Sequence, residues 1–250
     1  MSAGAGAASF TEDHLLGGRV TLHQPAVGER VAIDPVLLAA AVPAGVGERV
    51  LDAGCGSGAA ALCLARRVAG VRVVGIDQTG EAVALATENA TRNGFADNVT
   101  FTTGDILAPP GDLAASFDHV MANPPHLEAA RAVPSPEAGR RAARIEGPAR
   151  LIHWIEFGRA RVRPHGTLTL VHRAERLADL LACLGGFAGG IVVFPLWPGG
   201  AKPAKRVIVR AEVGSAKPLR LAPGMVLHAS DGAYTREAEA ILRHGAALEL

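Results

Sequence analysis

The sequence predicts a doubly wound α/β fold with a seven-stranded sheet whose last strand is antiparallel, and three observations predict it. From Arg49 onward, short and nearly continuous apolar strands alternate with helical segments, which is typical of a parallel sheet covered on both faces. A glycine-rich turn, GCGSG, joins the first strand to the first helix. The last two strands are separated only by the loop GGAKPAK, so we expect them to pair antiparallel at one edge of the sheet.

The elements follow one another without an internal repeat or a convincing linker. The last segment carries a turn at Asp231-Gly232 and a terminal helix that Thr235 caps. In chain order we predict the strand RVLDA, the helix AAALCLARRV, the strand VRVVGID, the helix EAVALATENATRNG, the strands NVTFTTGDI and FDHVMANPP, a helical stretch from about Gly139 to Arg163, the strand GTLTLVHR, the helix AERLADLLACLG, and the strands GIVVFPLWP and AKRVIVRAEV.

The pattern divides the chain into three parts. Residues 49–250 form one domain with a C-terminal hairpin and helix extension, residues 13–48 form a short N-terminal cap segment, and residues 1–12 form a disordered tail. The opening MSAGAGAAS has neither the basic start nor the apolar run of a signal peptide, and no stretch is long and apolar enough to span a bilayer. We therefore expect a cytoplasmic protein without a membrane partner.

Composition excludes several classes of function. The net charge of +1 and the 20% of charged residues give no overall basic field, so any contact with nucleic acid must be local. The three cysteines have neither the even count of a disulfide framework nor the CxxC spacing of a zinc site. We expect Cys55, Cys63 and Cys183 to be small apolar residues in a reducing compartment, and we expect no metal.

The glycine-rich turn and two acids after it indicate a nucleotide-like ligand. The glycines lie where the backbone of a doubly wound fold approaches its ligand, and they are Gly54, Gly56 and Gly58. Asp77 ends the next strand, at the distance from which a carboxylate can accept both hydroxyls of a ribose, and Asp105 ends the third strand at the same edge. A dinucleotide-binding turn or a plain strand-to-helix connection remain the alternatives.

The GxGxG spacing, preceded by Asp52 and followed by the two acids, resembles class I S-adenosylmethionine-dependent methyltransferases, which have a Rossmann-like sheet. The resemblance implies that the glycine turn accommodates the methionine part, that Asp77 holds the ribose and that Asp105 contacts the adenine. The cofactor would be S-adenosylmethionine, leaving S-adenosylhomocysteine as product. The candidate cofactor-binding residues are Asp34, Asp52, Ala53, Gly54, Cys55, Gly56, Gly58, Asp77, Gln78, Asp105, Ile106 and Asn123.

The fourth strand ends in Asn123-Pro124-Pro125, a stiff and non-helical exit toward the crevice in which the cofactor would lie. The Asn123 side-chain oxygen and the Pro124 carbonyl could each accept a hydrogen bond from an exocyclic amino group and aim its nitrogen at a methyl donor. The segment resembles the NPPY motif of amino-group methyltransferases, in which the fourth residue stacks on the planar substrate. Here that residue is His126, which either stacks through its imidazole or is a plain loop residue.

Nearly the whole chain resembles the bacterial tRNA1(Val) adenine-37 N6-methyltransferases. The segment ending in DPVLL resembles that family's N-terminal cap over the methyl donor, and PSPEAGRRAARIEG resembles its continuation after NPPY. Glu29 stands where close relatives often have tyrosine. The resemblance implies an RNA partner, most of all a tRNA, and an unpaired anticodon-loop base could be flipped into a pocket at small cost.

Clustered cations support an RNA partner from the residues themselves, because arginines grip phosphates and stack on bases. The alternative is a solvated helix face, since Glu137, Glu146 and Glu156 are interspersed. The cations are Arg131, Arg140, Arg141, Arg144, Arg150, Arg159, Arg161, Arg163, Lys202, Lys205 and Arg206.

Three other functions share these motifs. A ribosomal RNA guanine-N2 methyltransferase is close in size. A protein glutamine-N5 methyltransferase normally carries a sizeable N-terminal helical domain, whereas fewer than about fifty residues precede the first strand here. A catalytically impaired protein could bind S-adenosylmethionine or RNA, with His126 as the lesion, but the intact Asn123-Pro124-Pro125 opposes this.

Overall fold

A computed structural model of the chain describes residues 10–26, 31–111, 113, 116–125 and 147–250. The predictions that concern Glu29, His126, Glu137 and Glu146, and the arginines at 131, 140, 141 and 144, lie outside the described residues.

Eleven strands and six α-helices are described. The strands are β1 (Phe10–Leu15), β2 (Val20–Pro25), β3 (Arg49–Ala53), β4 (Arg72–Asp77), β5 (Val99–Thr103), β6 (Phe117–Ala122), β7 (Val162–Arg173), β8 (Ala188–Trp197), β9 (Arg206–Val213), β10 (Arg220–Leu221) and β11 (Met225–Val226). The helices are α1 (Asp34–Ala41), α2 (Ala59–Arg67), α3 (Gly80–Arg92), α4 (Leu151–Arg161), α5 (Leu177–Leu184) and α6 (Arg236–Leu242).

The main sheet has the order β5-β4-β3-β6-β7-β9-β8-β10, and β11 also pairs with β8. The parallel strands β3 to β7 place their carboxyl ends at one side of the sheet, which we call the carboxyl edge. Buried residues of α1, α2, α3 and α6 pack on one face, and those of α4 and α5 pack on the other. The doubly wound α/β prediction is therefore confirmed.

The antiparallel pairing of the last two predicted strands at one edge of the sheet is confirmed. β9 lies between β7 and β8 and pairs antiparallel with both. The short strands β10 and β11 pair parallel with β8 and extend the sheet beyond the seven predicted strands. Both β8 and β9 contain consecutive buried residues, which is typical of strands covered on both faces.

The N-terminal segment starts earlier than predicted. Residues 10–12 belong to β1, which pairs antiparallel with β2, so they are a strand rather than part of the tail assigned to residues 1–12. Two amide side chains on α3 hold this hairpin. Asn89 exchanges hydrogen bonds of 2.9 Å with the backbone N–H and carbonyl of His23, and Asn93 does the same with Thr21 at 2.9 and 2.7 Å.

The C-terminal extension follows the sequence pattern. Thr235 caps α6, because its hydroxyl oxygen accepts a hydrogen bond of 3.2 Å from the Ala238 N–H. The turn at Asp231-Gly232 is stabilised by a hydrogen bond of 3.1 Å from the Gly232 N–H to the Ala229 carbonyl. Both predictions are confirmed.

Candidate active site at the carboxyl edge

The turn between β3 and α2 is shaped by glycines. Gly54, Gly56 and Gly58 have φ values of 72°, 52° and 85°, in the left-handed region that favours glycine. The N–H groups of Gly54 and Cys55 both donate to the Ile76 carbonyl, at 2.8 and 3.0 Å, which ties the turn to the end of β4. A Cβ added at Gly56 would meet no atom of the described residues within 4 Å, so none of them fills the space beside the turn there. A ligand can therefore approach the backbone closely.

Asp77 fixes this turn through both carboxylate oxygens. Its Oδ2 accepts from the Gly56 N–H at 3.0 Å, and its Oδ1 accepts from the Thr79 N–H at 3.0 Å. Each oxygen retains further acceptor capacity, and the side chain is half-buried beside the exposed Gln78. The arrangement leaves room for hydroxyl donors from a ligand.

Asp105 follows β5, on the strand next to β4. The Gly104 N–H donates to the Asp77 carbonyl at 2.8 Å, which brings the two acidic positions to the same edge. Asp105 is exposed, its Oδ1 accepts from the Leu107 N–H at 2.9 Å, and Ile106 beside it is half-buried. The structure thus brings together the two acids that the sequence places at strand ends.

Asp52 lies beneath the turn rather than on its open side. It is 2% exposed, and the Ala61 backbone of α2 hydrogen bonds to its carboxyl group. Its Oδ2 has no hydrogen-bond partner within the part of the chain that the structure describes. Burial, with a smaller contribution from the charge of Asp77, raises the pKa of Asp52 to about 7.

The residues around Asp52 close the interior of the turn. Ala53 and Cys55 are buried. Burial raises the pKa of the Cys55 thiol well above its usual range, and it raises the pKa of Cys63 to about 12. Both thiols are therefore protonated and unsuited to nucleophilic chemistry.

Asn123 lies beside the glycine turn because Ala122 pairs with Ala53 across β6 and β3. Its Oδ1 is buried and has no hydrogen-bond partner among residues 10–26, 31–111, 113, 116–125 and 147–250. Pro124 is buried and Pro125 is half-buried. A buried acceptor without a donor costs about 1 to 3 kcal/mol, and such groups in native proteins call for an explanation such as ligand binding.

Asp34 also reaches the carboxyl edge, at the start of α1. Its Oδ2 lies 3.0 Å from Nε of Arg206, the first residue of β9. Because β9 is antiparallel, its first residue lies beside Arg173 and Leu196, near the carboxyl ends of β7 and β8. Sequence reasoning placed Asp34 in the cap but missed this ion pair.

The described members of the predicted arginine cluster do not form one basic face. Arg163 forms an ion pair of 2.6 Å with Asp118, which also accepts from the Arg49 N–H at the opposite edge of the sheet. The guanidinium groups of Arg159 and Arg161 lie over the rings of Phe187 and Phe157. Arg150 is exposed at the start of α4, and Lys202 and Lys205 are exposed in the loop before β9. Within the part of the chain that the structure describes, the cations available at the carboxyl edge are therefore few.

Trp154, in the first half of α4, is a candidate site residue that sequence reasoning missed. A Cβ added at Gly54 would lie 2.6 Å from Trp154 Cη2, so the indole covers the start of the glycine turn. Its Nε1 is buried without a hydrogen-bond partner among the described residues. The available signal was a tryptophan, one of two in the chain, within an otherwise Arg-rich segment.

Two cavities lie away from this turn. One, of about 560 Å³, is lined by residues such as Thr167, Arg210 and Lys217. The other, of about 670 Å³, is bordered by residues such as Leu16 and Tyr234. We place the candidate site at the carboxyl edge because the glycine turn and the unsatisfied Asn123 oxygen lie there.

Comparison with known families identifies the domain. Residues 45–145 match the family model described as "Methyltransferase domain", and this range contains the glycine turn and both strand-end acids. The chain contains a methyltransferase domain. S-Adenosylmethionine as the methyl donor is confirmed at the level of this domain, and the open turn, the strand-end acids and the unsatisfied Asn123 oxygen fit such a group. Which residues hold it stays a prediction.

Several curated proteins are similar to the methyltransferase domain. A tRNA1(Val) (adenine(37)-N6)-methyltransferase of Porphyromonas gingivalis is 33% identical over 65% of this chain and 66% of its own length. Its counterpart from Enterobacter sp. is 35% identical over 47% of this chain and 48% of its length. A release factor glutamine methyltransferase of Geobacter sulfurreducens is 42% identical over 32% of this chain and 27% of its length. The chain thus spans at most about two thirds of the length of these relatives.

Solved structures show the same fold. A predicted O-methyltransferase from Agrobacterium tumefaciens superposes with a TM-score of 0.72 and 22% identity, covering 86% of this chain and 98% of the other. An S-adenosylmethionine-dependent O-methyltransferase from Thermotoga maritima gives a TM-score of 0.54 and 20% identity, over 76% and 68% of the chains. The Rossmann-like methyltransferase fold is therefore confirmed. No helix among the described residues is long and apolar enough to cross a membrane.

Proposed function

We propose that the protein transfers a methyl group from S-adenosylmethionine to an exocyclic amino nitrogen of a base in RNA, with N6 of adenine 37 in a tRNA anticodon loop as the target. The observation that carries the proposal is the buried and unsatisfied Oδ1 of Asn123 beside the glycine turn. An amide oxygen is an acceptor only, so it calls for a ligand that donates. Two relatives that are tRNA1(Val) (adenine(37)-N6)-methyltransferases support tRNA adenine as that ligand.

In this proposal the protein promotes methyl transfer by orienting the amino nitrogen of the substrate. An amino nitrogen conjugated to a ring is a poor nucleophile, because its lone pair is delocalised into the ring. Asn123 Oδ1 and the Pro124 carbonyl would accept its two N–H groups and turn the lone pair out of the ring plane. When bound, S-adenosylmethionine would supply the methyl group: the nitrogen–carbon bond would form as the carbon–sulfur bond broke, the sulfur would keep the electron pair, and the nitrogen would release a proton to water. His126, the fourth residue of the motif, would stack on the base.

The methyl donor would bind at three positions along the carboxyl edge. The glycine turn would accept the methionine part, Asp77 the ribose hydroxyls and Asp105 the adenine amino group. Asp52, buried beneath the turn, would support the turn and not touch the ligand. Lys202 and Lys205, exposed near the carboxyl edge, would contact RNA phosphates.

The test is transfer of labelled methyl from S-adenosylmethionine to total tRNA, followed by nucleoside analysis. We expect N6-methyladenosine in the product of the parent protein and almost none with Asn123→Ala, whose affinity for S-adenosylhomocysteine should stay near that of the parent. With ribosomal RNA as the acceptor in the same assay, label in N2-methylguanosine and none in tRNA would instead assign the ribosomal guanine activity. No label in tRNA, in ribosomal RNA or in a release factor, together with retained binding of S-adenosylhomocysteine, would indicate a binding protein.

A protein glutamine amide is the second candidate acceptor. The 42% identity to a release factor glutamine methyltransferase over 81 residues favours it, because an amide NH₂ would satisfy Asn123 as an adenine amino group does. The same assay with a release factor as acceptor separates the two. Label in the protein and none in tRNA would replace RNA as the substrate.

A further inference from the structure

The cavity of about 560 Å³ lies on the face of the sheet that packs against α1. Arg210 of β9 pairs with Val192 of β8, and Val192 pairs with Arg220 of β10. Side chains of paired residues project to the same face of a sheet, so both arginines stand on the face to which the buried Val192 belongs. We call this space the basic cavity, and its charged lining residues are Arg210, Glu212, Lys217 and Arg220.

Cations outnumber carboxylates in the basic cavity. Glu212 is its only acidic lining residue in the described part of the chain, and Lys217 Nζ already donates to Glu212 Oε2 at 2.8 Å. The other oxygen of this carboxylate lies 3.3 Å from Nδ1 of His165. The carboxylate of Glu212 is therefore occupied, and neither arginine of the cavity forms an ion pair with it.

The Arg220 guanidinium is the cation that is available to a ligand. Arg220 is exposed, and its side chain forms no hydrogen bond or ion pair with a described residue. The half-buried Arg210 instead donates to main-chain oxygens of Ala41 and Leu250, at 3.5 and 3.1 Å. Burial, and after it the charge of Arg220, lower the pKa of Arg210, whereas the charge of Glu249 raises it. An anion beside both guanidinium groups would offset their repulsion.

The basic cavity is open to solvent and has the size of a small-molecule site. Its lining includes the four consecutive residues Lys217–Arg220, all of which are exposed. Ligand cavities in proteins commonly measure about 300 to 1,000 Å³, so a nucleotide would fit. Arg210 lies four residues along β9 from Arg206, which corresponds to about 13 Å from the carboxyl edge. The basic cavity is therefore separate from the candidate active site.

We propose that the basic cavity binds a phosphate group, with Arg220 as its main contact and Arg210 beside it. A phosphate offers several acceptor oxygens, so it can contact both guanidinium groups, and the planar fork of arginine matches its geometry. The phosphate could belong to a free nucleotide or to an RNA strand, since the exposed rim admits either. This inference goes beyond the proposed function and does not depend on it.

Equilibrium binding of inorganic phosphate tests the site. In Arg220→Ala the affinity for inorganic phosphate should fall by about 10-fold, the effect of losing one charge-assisted hydrogen bond. The matched control is Arg72→Ala, which removes another exposed arginine at the start of β4 and should bind phosphate as the parent does. Equal affinities in the parent and Arg220→Ala, or equal losses in the two variants, would overturn the proposal.

Two further ligands identify the source of the phosphate. A weaker affinity of Arg220→Ala for adenosine 5′-monophosphate, with unchanged binding of tRNA, would support the site and assign it to a free nucleotide. A weaker affinity for tRNA, with a salt dependence whose logarithmic slope falls by about 1, would support the site and assign it to an RNA strand.

An NMR measurement on the parent applies even where Arg220→Ala folds poorly. Inorganic phosphate should shift the amide resonances of Gly190, Val192 and Arg220, which line the cavity. Shifts confined to the glycine turn, or no shifts at all, would overturn the site. None of these measurements uses the methyl donor, so a failure of the phosphate site leaves the proposed function in place, and a failure of methyl transfer leaves the phosphate result valid.

Discussion

The substitution Asp52→Asn should remove a pH dependence of stability that the parent protein shows. Burial raises the pKa of Asp52 from 3.8 to about 7 in the folded chain. The folded state therefore holds the proton more tightly than the unfolded state does. The protonation of Asp52 therefore adds to the free energy of unfolding. This contribution is complete below the pKa of the unfolded state, falls as the pH rises from about 4 to 7, and is absent above that range.

The magnitude follows from the size of the shift. Each unit of difference between folded and unfolded pKa is worth about 1.4 kcal/mol, so the full change is on the order of 4 kcal/mol. Between pH 5 and 7 the parent should lose about 2 to 3 kcal/mol of unfolding free energy through this one group. For a chain of this size that corresponds to a fall of roughly 5 to 10 °C in Tm.

The assay is urea unfolding of the parent and of Asp52→Asn at pH 5, 6, 7 and 8. An asparagine does not titrate, so the variant should not lose unfolding free energy through this position as the pH rises. The parent should, and its stability should therefore fall relative to that of the variant. Asp77→Asn supplies a second check, because removing that nearby charge should shift the transition to lower pH. A difference that stays constant from pH 5 to 8 would refute the raised pKa and with it the placement of the carboxyl group in the interior.

Three further substitutions examine the site. Asp77→Ala should weaken S-adenosylmethionine binding by roughly 1 to 3 kcal/mol in calorimetry, with the exposed Asp97→Ala as the unaffected control, and equal affinities would remove Asp77 from the site. Asn123→Ala should lower turnover on RNA by on the order of 100-fold with donor affinity nearly intact, and comparable losses in both would make the residue structural. Gly54→Ala should lower Tm, because φ is 72° and the new methyl would meet the indole at 2.6 Å. Trp154→Phe should partly restore that Tm, and a double variant no more stable than Gly54→Ala would deny the contact.

The parts of the site that the sequence predicts are those fixed by local chain geometry. Strands of a parallel sheet end at a common edge, so Asp77, Asp105 and Asn123 could be placed together from their positions after apolar runs. The glycines could be interpreted because a turn that enters the left-handed region favours this residue. These inferences need only the order of elements and not their packing.

The parts that the sequence does not predict depend on contacts between distant segments. The ion pair of Asp34 with Arg206 joins residues 172 positions apart. The hydrogen bonds of Asn89 and Asn93 to the N-terminal hairpin join residues that are 66 and 72 positions apart. The Trp154 contact depends on the rotation of α4 against the sheet. Helical periodicity shows which residues share a face but not which residue of another element they meet.

The pairing of β8 with β9 could be predicted, because only a short loop separates the two strands. Their order in the sheet could not. Both strands carry consecutive buried residues, from Ile191 to Leu196 in β8 and from Val207 to Val209 in β9, so burial does not say which of them lies next to β7.

The polar groups at the carboxyl edge divide by how the protein satisfies them. The oxygens of Asp77 and Asp105 accept from backbone N–H groups, and these bonds fix the shape of the turn without a ligand. Asn123 Oδ1, in contrast, is buried without a partner among the described residues. An acceptor substrate with an amino group would satisfy this oxygen, whereas the methyl donor would use the remaining acceptor capacity of Asp77 and Asp105. Substitution of Asn123 therefore tests the acceptor side of the site, and substitution of Asp77 tests the donor side, each without the other.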